Sequence, residues 1–329
     1  MARPTDWEPM NDLPPIGTKL GSYQIEATLG DGGVATVFLA RHRVLGSQHA
    51  VKLLHLPAPS VRRRLLLEGQ IQATVSHPNV VAATDTVTWH NYLGLVLEYV
   101  DGPTLSSFAD GRALSLEALE RIAGGLLAGV SAVHRAGYLH RDLKPDNVLM
   151  AHRTEGWVPR LADFGLARER RRQAGRTRDG VCMGTAAYMA PEQIRDAAGV
   201  DERADVWSLG CILYELASGR RAFEGADDFA TMTAVASTAH VPVSELRTDL
   251  RPGMVEAIEA ALRKDPAERP RNVTDLACRW ATDGGPRRPR STTGRRARTG
   301  HLGLLVRPPR RPTPSHLSAL LRAGATRGR

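Results

Sequence analysis

The segment at residues 138–150, YLHRDLKPDNVLM, limits the possible folds of this chain more than any other part of the sequence. It places His, Arg, Asp, Lys, Asp and Asn within eight positions, and apolar residues lie on both sides. A run this polar cannot be a core strand, because buried charged groups need partners. The segment therefore predicts a functional loop between two apolar elements.

Two further motifs follow this loop. Residues 161–167, LADFGLA, contain an acid between apolar neighbours, followed by Phe and Gly. Residues 184–193 are GTAAYMAPEQ, and the stretches ADVWSLG and DPAERP come later.

A glycine-rich stretch, LGDGGVATV, precedes them at residues 29–37. Gly30 and Gly32 remove side chains where backbone amides have to approach a ligand closely, as they do over phosphates. The spacing Gly30-x-Gly32-x-x-Ala35 also matches a dinucleotide-binding fingerprint, but that motif must open a helix, and TVFLARH follows here as a strand pattern. A simple hairpin turn remains an open alternative for this motif alone.

Lysine is rare in this chain: of 44 basic residues, only four are Lys, at positions 19, 52, 144 and 264. Lys52 lies in the apolar run at 50–54, and Lys144 lies in the 138–150 loop. Lys is a compact point charge on a flexible stem, which suits simultaneous contact with a phosphate and a carboxylate. Glu68, sixteen residues after Lys52, is the natural carboxylate. The alternative for Lys52 is a strand-end side chain that reaches solvent.

Hydrophobic periodicity divides the chain into two parts, which together predict an α+β fold. Alternating segments between residues 21 and 100 predict antiparallel strands, interrupted by an amphipathic helix at 60–77. Helical patterns dominate later, at 115–137, 204–219 and 252–265. We predict a small β-rich N-lobe at 20–100 and a larger α-helical C-lobe at 101–282. Residues 1–19 are predicted to be a flexible leader, and residues 283–329 an Arg/Pro-rich disordered tail.

The net charge of +9 comes entirely from the tail. Residues 284–329 contain twelve Arg and no acid, which leaves −3 (+9 less +12) on the rest of the chain. Such a charge run is most simply a solvated segment, and binding of nucleic acid or another anionic partner is the alternative. Three widely spaced cysteines, no signal peptide and no transmembrane run predict a cytoplasmic protein.

The order and spacing of the motifs resemble those of a protein kinase, in particular the bacterial serine/threonine kinases that are similar to eukaryotic ones. The match HRDLKPDN, with DFG and APE following in order, is specific as a set, whereas each motif alone is weaker. The resemblance covers residues 21–280. It implies the bilobal protein-kinase fold and transfer of the γ-phosphoryl of ATP to Ser/Thr hydroxyls of proteins. The implied cofactors are ATP and Mg²⁺, with Mn²⁺ as an alternative metal.

The resemblance also assigns roles to individual residues. Lys52 binds the α- and β-phosphates and is held by Glu68. Asp142 accepts the substrate hydroxyl proton, and Lys144 steadies the transferred γ-phosphoryl. Asn147 and Asp163 hold magnesium. The implied ATP-binding set is Leu29, Gly30, Asp31, Gly32, Gly33, Val34, Ala35, Val37, Ala50, Lys52, Glu68, Glu98, Val100 and Leu149.

A second group of residues resembles the structural frame of the family. Glu192 and Arg269 resemble a buried ion pair below the activation segment. Asp205 resembles the helix-borne acid that binds the backbone of the catalytic loop. Glu98 and Val100 would offer backbone groups to adenine.

The activation segment, LARERRRQAGRTRDGVCM, contains many Arg and a single hydroxyl residue, Thr177. A phosphate on Thr177 would lie among guanidinium groups, including that of Arg141, and could order the loop. A solvated basic loop is an equally open alternative. Thr185 would bridge Asp142 and Lys144, as in the serine/threonine type of kinase.

Two positions depart from the family pattern. Ala35 replaces the third glycine, and we expect only a small change in loop mobility. Gln72, four residues after Glu68, takes the place of an apolar side chain that usually stacks against the Phe of DFG. A polar group there would weaken the alignment of the helix, so that activity depends on an activator.

The leading hypothesis is an active serine/threonine protein kinase that acts on protein substrates and on a second copy of itself. A pseudokinase scaffold is the alternative from another functional class. A nucleic-acid binder that uses the tail would show binding with steep salt dependence. A small-molecule kinase is disfavoured because GTAAYMAPE, which builds the peptide-docking surface in the family, is intact.

Overall fold

The computed structural model describes residues 13–32, 34–55, 58–164, 185–195 and 199–282. The small lobe contains a six-stranded antiparallel sheet in the order β1-β2-β3-β4-β6-β5, and the two-stranded sheet β7-β8 lies in the large lobe. The strands are β1 (Lys19–Leu20), β2 (Tyr23–Asp31), β3 (Ala35–His42), β4 (Gln48–Leu54), β5 (Ala83–Trp89), β6 (Tyr92–Glu98), β7 (Val148–Arg153) and β8 (Gly156–Leu161).

Nine helices are described outside short 3₁₀ turns, and all except the first belong to the large lobe. They are α1 (Pro59–Thr74), α2 (Leu105–Ala109), α3 (Leu116–Arg135), α4 (Pro191–Arg195), α5 (Glu202–Ser218), α6 (Asp228–Ser237), α7 (Val243–Leu246), α8 (Pro252–Ala261) and α9 (Val273–Trp280). This arrangement confirms the predicted α+β class, with a β-rich N-lobe and a helical C-lobe.

Helix α1 packs closely on the sheet of the small lobe. Proline at its first position and an apolar face with Val61 and Leu65 define the helix. A Cβ added at Gly69 would lie 2.6 Å from Leu95 Cδ1 on β6, so a larger residue would require the Leu95 side chain to move. The close contact fixes the height at which the neighbouring Glu68 faces the sheet.

Helix α5 lies at the centre of the large lobe. Nearly all of its residues from Ala204 to Ala217 are buried, as expected for a helix that is apolar on all sides. Asp201 caps its first turn, and Gly219 ends it with φ of 72°, a conformation that favours glycine. The helix therefore offers a fixed base from which Asp205 reaches the catalytic loop.

Residues at the end of the predicted leader take part in the sheet of the small lobe. Lys19 lies in β1 and is paired with Gln24, and the Gly17 amide donates to the Ile25 carbonyl at 2.8 Å. The leader predicted for residues 1–19 is therefore too long at its C-terminal end. The tail predicted for 283–329 lies outside the described residues. In the part of the chain that is described, no helix combines the length and apolarity that crossing a membrane requires.

Candidate active site

A partly buried lysine joins the two lobes. Lys52 Nζ on β4 donates to Glu68 Oε1 on α1 at 3.0 Å and to Asp163 Oδ1 at 2.6 Å. Lys52 pairs across the sheet with Val37 and Leu95, which sets the direction of its side chain. One ammonium therefore connects the small-lobe sheet, the small-lobe helix and the DFG segment.

Charge and burial compete in this cluster. Burial disfavours the charge on Lys52, but the carboxylates of Asp163 and Glu68 outweigh it and raise its pKa. Lys52 likewise holds the pKa of Asp163 below its usual range, against the effect of burial. Burial raises the pKa of Glu68 to about 7, although Lys52 acts in the opposite direction. Of the two carboxylates, Glu68 is therefore the one whose charge changes near neutral pH.

Asp163 is held in an uncommon backbone conformation. Its φ is 54°, in the left-handed region that residues other than glycine adopt rarely. On one side the Ala162 amide donates to Asn147 O at 2.9 Å, and on the other the Phe164 ring packs 4.8 Å from the His140 ring. Burial lowers the pKa of His140, whose Nε2 donates to Ala162 O at 3.2 Å. These contacts aim the Asp163 carboxylate at Lys52.

The catalytic loop places three functional side chains together, next to Thr185 from a later segment. Asn147 Nδ2 donates to the Asp142 carbonyl at 2.8 Å and to Asp142 Oδ2 at 3.0 Å. Lys144 Nζ donates to Thr185 Oγ1 at 3.0 Å and lies 3.8 Å from Asp142 Oδ2. Thr185 is predicted to bridge Asp142 and Lys144; in the structure its hydroxyl accepts from Lys144, and Lys144 is the residue that lies between Thr185 and Asp142.

Asp205 fixes the backbone of this loop from α5. Its Oδ2 accepts from the His140 amide, and its Oδ1 accepts from the Arg141 amide, both at 2.8 Å. Arg141 has φ of 63°, so the loop turns sharply at this point. Burial would raise the pKa of Asp205, but hydrogen bonds from His134 and from the loop outweigh it and lower the pKa. The acid is therefore charged and holds the loop that carries Asp142.

The predicted nucleotide-side residues form one apolar surface. Ala35 and Val100 are buried in one cluster, to which Leu97 also belongs, and Val34, Ala50 and Leu149 pack against it. The Glu98 amide donates to Ala82 O at 2.9 Å, so only the carbonyl of its backbone groups can serve adenine. Leu29 is exposed at the end of the glycine-rich hairpin, and the Gly32 amide closes that hairpin on Ala35 O at 3.1 Å. Gly33 lies outside the described residues.

The ion pair predicted below the activation segment is present. Arg269 binds both oxygens of Glu192, at 2.7 and 2.9 Å, and its side chain is fully buried. Its remaining N–H groups donate to the carbonyls of Arg263, Arg203 and Lys264 at 2.7 to 3.1 Å. All five donors of the guanidinium are thus used. Thr177 lies outside the described residues.

Sequence reasoning missed two residues that support the site. Arg160 on β8 is buried and donates to the Glu98 carboxylate and to Val80 O, which ties the segment between the lobes to the large lobe. A charged residue inside the apolar stretch VPRLADF was the available signal, since such a residue needs a partner. His134 on α3 donates from Nε2 to Asp205 Oδ2 at 2.8 Å. No local pattern distinguishes this histidine from others on amphipathic helices.

Comparisons with known proteins agree with this geometry. The family model described as the protein kinase domain matches residues 23–280. The chain belongs to the protein kinase family. It is 32% identical over 304 residues to the serine/threonine-protein kinase Pkn1 of Myxococcus xanthus, covering 91% of this chain and 43% of Pkn1. It is 36% identical over 309 residues to the DNA damage-responsive serine/threonine-protein kinase RqkA of Deinococcus radiodurans, covering 86% of this chain and 43% of RqkA.

Among solved structures, the kinase fold is similar to that of the PknI kinase domain of Mycobacterium tuberculosis. The TM-score is 0.62 at 24% identity, with 82% of this chain and 98% of that chain covered. This likeness shows the fold. The chain spans less than half the length of the two curated kinases above. It resembles the bacterial serine/threonine branch of the family, as the catalytic-loop lysine and Thr185 indicate.

Proposed function

We propose that this chain is an active serine/threonine protein kinase that transfers the γ-phosphoryl of ATP to protein hydroxyls. The single observation that carries the proposal is the position of Lys52 between Glu68 and Asp163, with bonds of 3.0 and 2.6 Å. This arrangement places a phosphate-binding cation beside a metal-binding acid, as phosphoryl transfer requires. Every charged position of the motif set is also filled.

The residues present fit a magnesium ion. Because Asn147 uses its Nδ2 on Asp142, its Oδ1 is the side-chain atom that can face a cation. Asp163 adds a carboxylate whose low pKa keeps it charged. Mg²⁺ prefers oxygen ligands and commonly takes one or two from the protein and others from phosphates. When bound, the metal supplies positive charge to the phosphate oxygens.

The remaining residues accept the proton of the substrate hydroxyl, hold the accepting carboxylate in place and neutralise charge. Asp142 accepts the proton of the substrate hydroxyl, and Asn147 holds its carboxylate in place. Lys144 lies between Asp142 and Thr185, where its ammonium can neutralise charge on the transferred group. The bond between Lys144 and Thr185 supports the serine/threonine type, as the resemblance implies. Substrates are therefore proteins with exposed Ser or Thr, and a second copy of the chain is one candidate.

The test is the mass of the purified chain before and after incubation with ATP and Mg²⁺, followed by peptide mapping. We expect added phosphate, and we expect Asp142→Asn to slow its appearance by about 10²–10⁴-fold, since general-base groups contribute that much. Asp146→Asn is the matched control, because Asp146 lies in the same loop but is exposed. The peptide map also shows whether Thr177 receives phosphate.

The same experiment can reject the proposal. Nucleotide binding without any phosphate on the chain or on a generic Ser/Thr protein substrate would point to a scaffold instead. Equal rates for the wild-type chain and Asp142→Asn would assign the activity to a contaminant.

A further inference from the structure

Three polar side chains form a hydrogen-bonded chain at the base of the glycine-rich hairpin. Thr36 Oγ1 donates to Asp31 Oδ1 at 2.7 Å, and His55 Nε2 lies 2.7 Å from the same hydroxyl. His55 Nε2 is also 3.4 Å from Asp31 Oδ1. We refer to Asp31, Thr36 and His55 as the loop latch.

The protons of the loop latch can be assigned from its chemistry. A carboxylate only accepts hydrogen bonds, so the single hydroxyl proton of Thr36 goes to Asp31. The Thr36 oxygen must then accept from His55, which carries a proton on Nε2 in this arrangement. Thr36 is completely buried, whereas the Asp31 side chain is 65% exposed. The latch therefore connects a surface carboxylate to a group fixed inside the sheet.

Strand register places the loop latch on the face of the sheet opposite Lys52. Asp31 pairs with Thr36, Thr36 pairs with Leu53, and His55 follows Leu53 by two residues. Lys52 pairs with Val37, one position along each strand, and successive side chains point to opposite faces. The Asp31 carboxylate is thus held on the outer face, away from the side on which Lys52 lies.

This placement matters because Asp31 lies between Gly30 and Gly32, in the loop that covers phosphates in the family. A carboxylate that turned toward a bound triphosphate would repel it, since like charges at short range disfavour each other. We propose that Thr36 and His55 are positioning residues that hold the Asp31 carboxylate away from the triphosphate, and that they thereby set the affinity for ATP. This inference rests on the proposed function, since it requires ATP beneath the hairpin.

The test compares ATP with adenosine, which has the same base and sugar but no phosphate charge. Isothermal titration calorimetry would measure both ligands, with Mg²⁺ present, on the wild-type chain and on Thr36→Val. Valine keeps the shape of threonine and removes the hydroxyl that holds Asp31. We expect ATP to bind on the order of tenfold more weakly, as for one carboxylate brought near the phosphates in salt. Adenosine binding should be unchanged.

Two further variants distinguish repulsion between Asp31 and the phosphates of ATP from structural damage to the sheet. In an Asp31→Asn background, Thr36→Val should leave ATP affinity within about twofold, because the side chain at position 31 then has no charge to repel phosphates. Thr36→Ser, which restores the hydroxyl, should return ATP affinity to the wild-type level. Loss of adenosine binding in Thr36→Val, or an equal loss of ATP binding in the Asn background, would show a merely structural role and overturn the inference.

The outcome also distinguishes this inference from the proposed function. A wild-type chain that binds ATP with the pattern above but transfers no phosphate supports the loop latch and rejects the kinase proposal. A wild-type chain that binds adenosine but not ATP rejects both.

Discussion

Arg269 in the large lobe and Gln72 in the small lobe are both buried polar side chains, but their hydrogen-bonding atoms are satisfied to different extents. In the large lobe, Arg269 uses all five of its N–H donors, and both oxygens of Asp205 accept from the catalytic loop. In the small lobe, the buried Gln72 on α1 donates from Nε2 to Val81 O at 3.2 Å. Its Oε1 is buried with no hydrogen-bond partner among the described residues.

The two residues differ in how much their burial costs the free energy of folding. A buried polar group whose bonds are all made gives a rigid arrangement, whereas one left half-paired carries the cost of losing its water. The contacts of Asp205 and Arg269 therefore hold the catalytic loop and the neighbouring ion pair in place, although the large lobe also buries four polar atoms without a hydrogen-bond partner among the described residues, on His134, His140, Arg160 and Trp207. Helix α1 carries Glu68 on the same face as a half-paired glutamine, so its packing is less stable. This supports the hypothesis that the active position of α1 is open to control.

The largest change in stability should come from removing the Arg269–Glu192 ion pair of the large lobe. Arg269→Ala leaves Glu192 without its partner and removes donors from three carbonyls, which should lower the free energy of unfolding by about 3–5 kcal/mol. Urea unfolding followed by far-UV circular dichroism measures this change. Arg279→Ala is the control, because Arg279 pairs with Glu256 at 2.8 Å in an exposed position and should change stability by less than about 1 kcal/mol. Similar losses in the two variants would contradict the comparison.

A smaller effect, of opposite sign, should follow when the half-paired group is removed from the small lobe. Gln72→Leu removes the unpaired oxygen but also the bond to Val81, and we expect a net gain of about 1 kcal/mol in the free energy of unfolding. The control is Gln70→Leu, an exposed position on the same helix, where little change is expected. Autophosphorylation rate should rise in the first variant if α1 limits activity. Lower stability than the wild-type chain would show that the Val81 bond outweighs the unpaired oxygen.

The smallest effect should be the change in ATP affinity when Glu68, the partner of Lys52, is titrated. Because the pKa of Glu68 is raised to about 7, its carboxylate is charged at pH 8 and protonated at pH 6, where the charge pair with Lys52 is lost. ATP affinity, measured by calorimetry with Mg²⁺, should fall roughly threefold over this range, or about 0.7 kcal/mol at 1.4 kcal/mol per tenfold. Glu68→Gln cannot titrate, so its profile gives the part of the change that belongs to ATP itself. Identical profiles for the two proteins would exclude Glu68 as the titrating group.

Much of this architecture could be predicted from the sequence because the decisive residues lie in short, ordered motifs. Alternation of apolar residues predicted the sheet of the small lobe, and its confirmation places Lys52 on a strand. The partners Glu68, Asp205 and Glu192 were named through resemblance, and the structure brings each to its expected neighbour. What resists prediction is contact between segments that carry no motif. Arg160 meets Glu98 from 62 residues away, and the loop latch depends on strand register, which a pattern of residue types does not fix to one residue.

Lys264 tests the inference that the few lysines of this chain lie where phosphate is bound. Lys264, outside the active site, lies 3.7 Å from the centre of the Phe223 ring and donates to Val235 O at 2.6 Å, near the end of α6. Burial lowers its pKa to about 8. A slender side chain fits between a ring and a helix end, where a planar guanidinium would be wide. A lysine fits this place by shape, so the scarcity of lysine alone does not identify a phosphate-binding residue.

The small number of lysines has a practical consequence for chemical labelling. The chain offers four lysine amines, and two of them, Lys52 and Lys144, lie in the active site. Lys52 is engaged by two carboxylates that favour its unreactive ammonium form, whereas Lys264 loses its proton most easily among the lysines whose pKa is shifted. An acylating reagent would thus give a peptide map simple enough to follow each amine separately, and protection of Lys52 or Lys144 by a nucleotide would be visible against Lys264 as an internal standard.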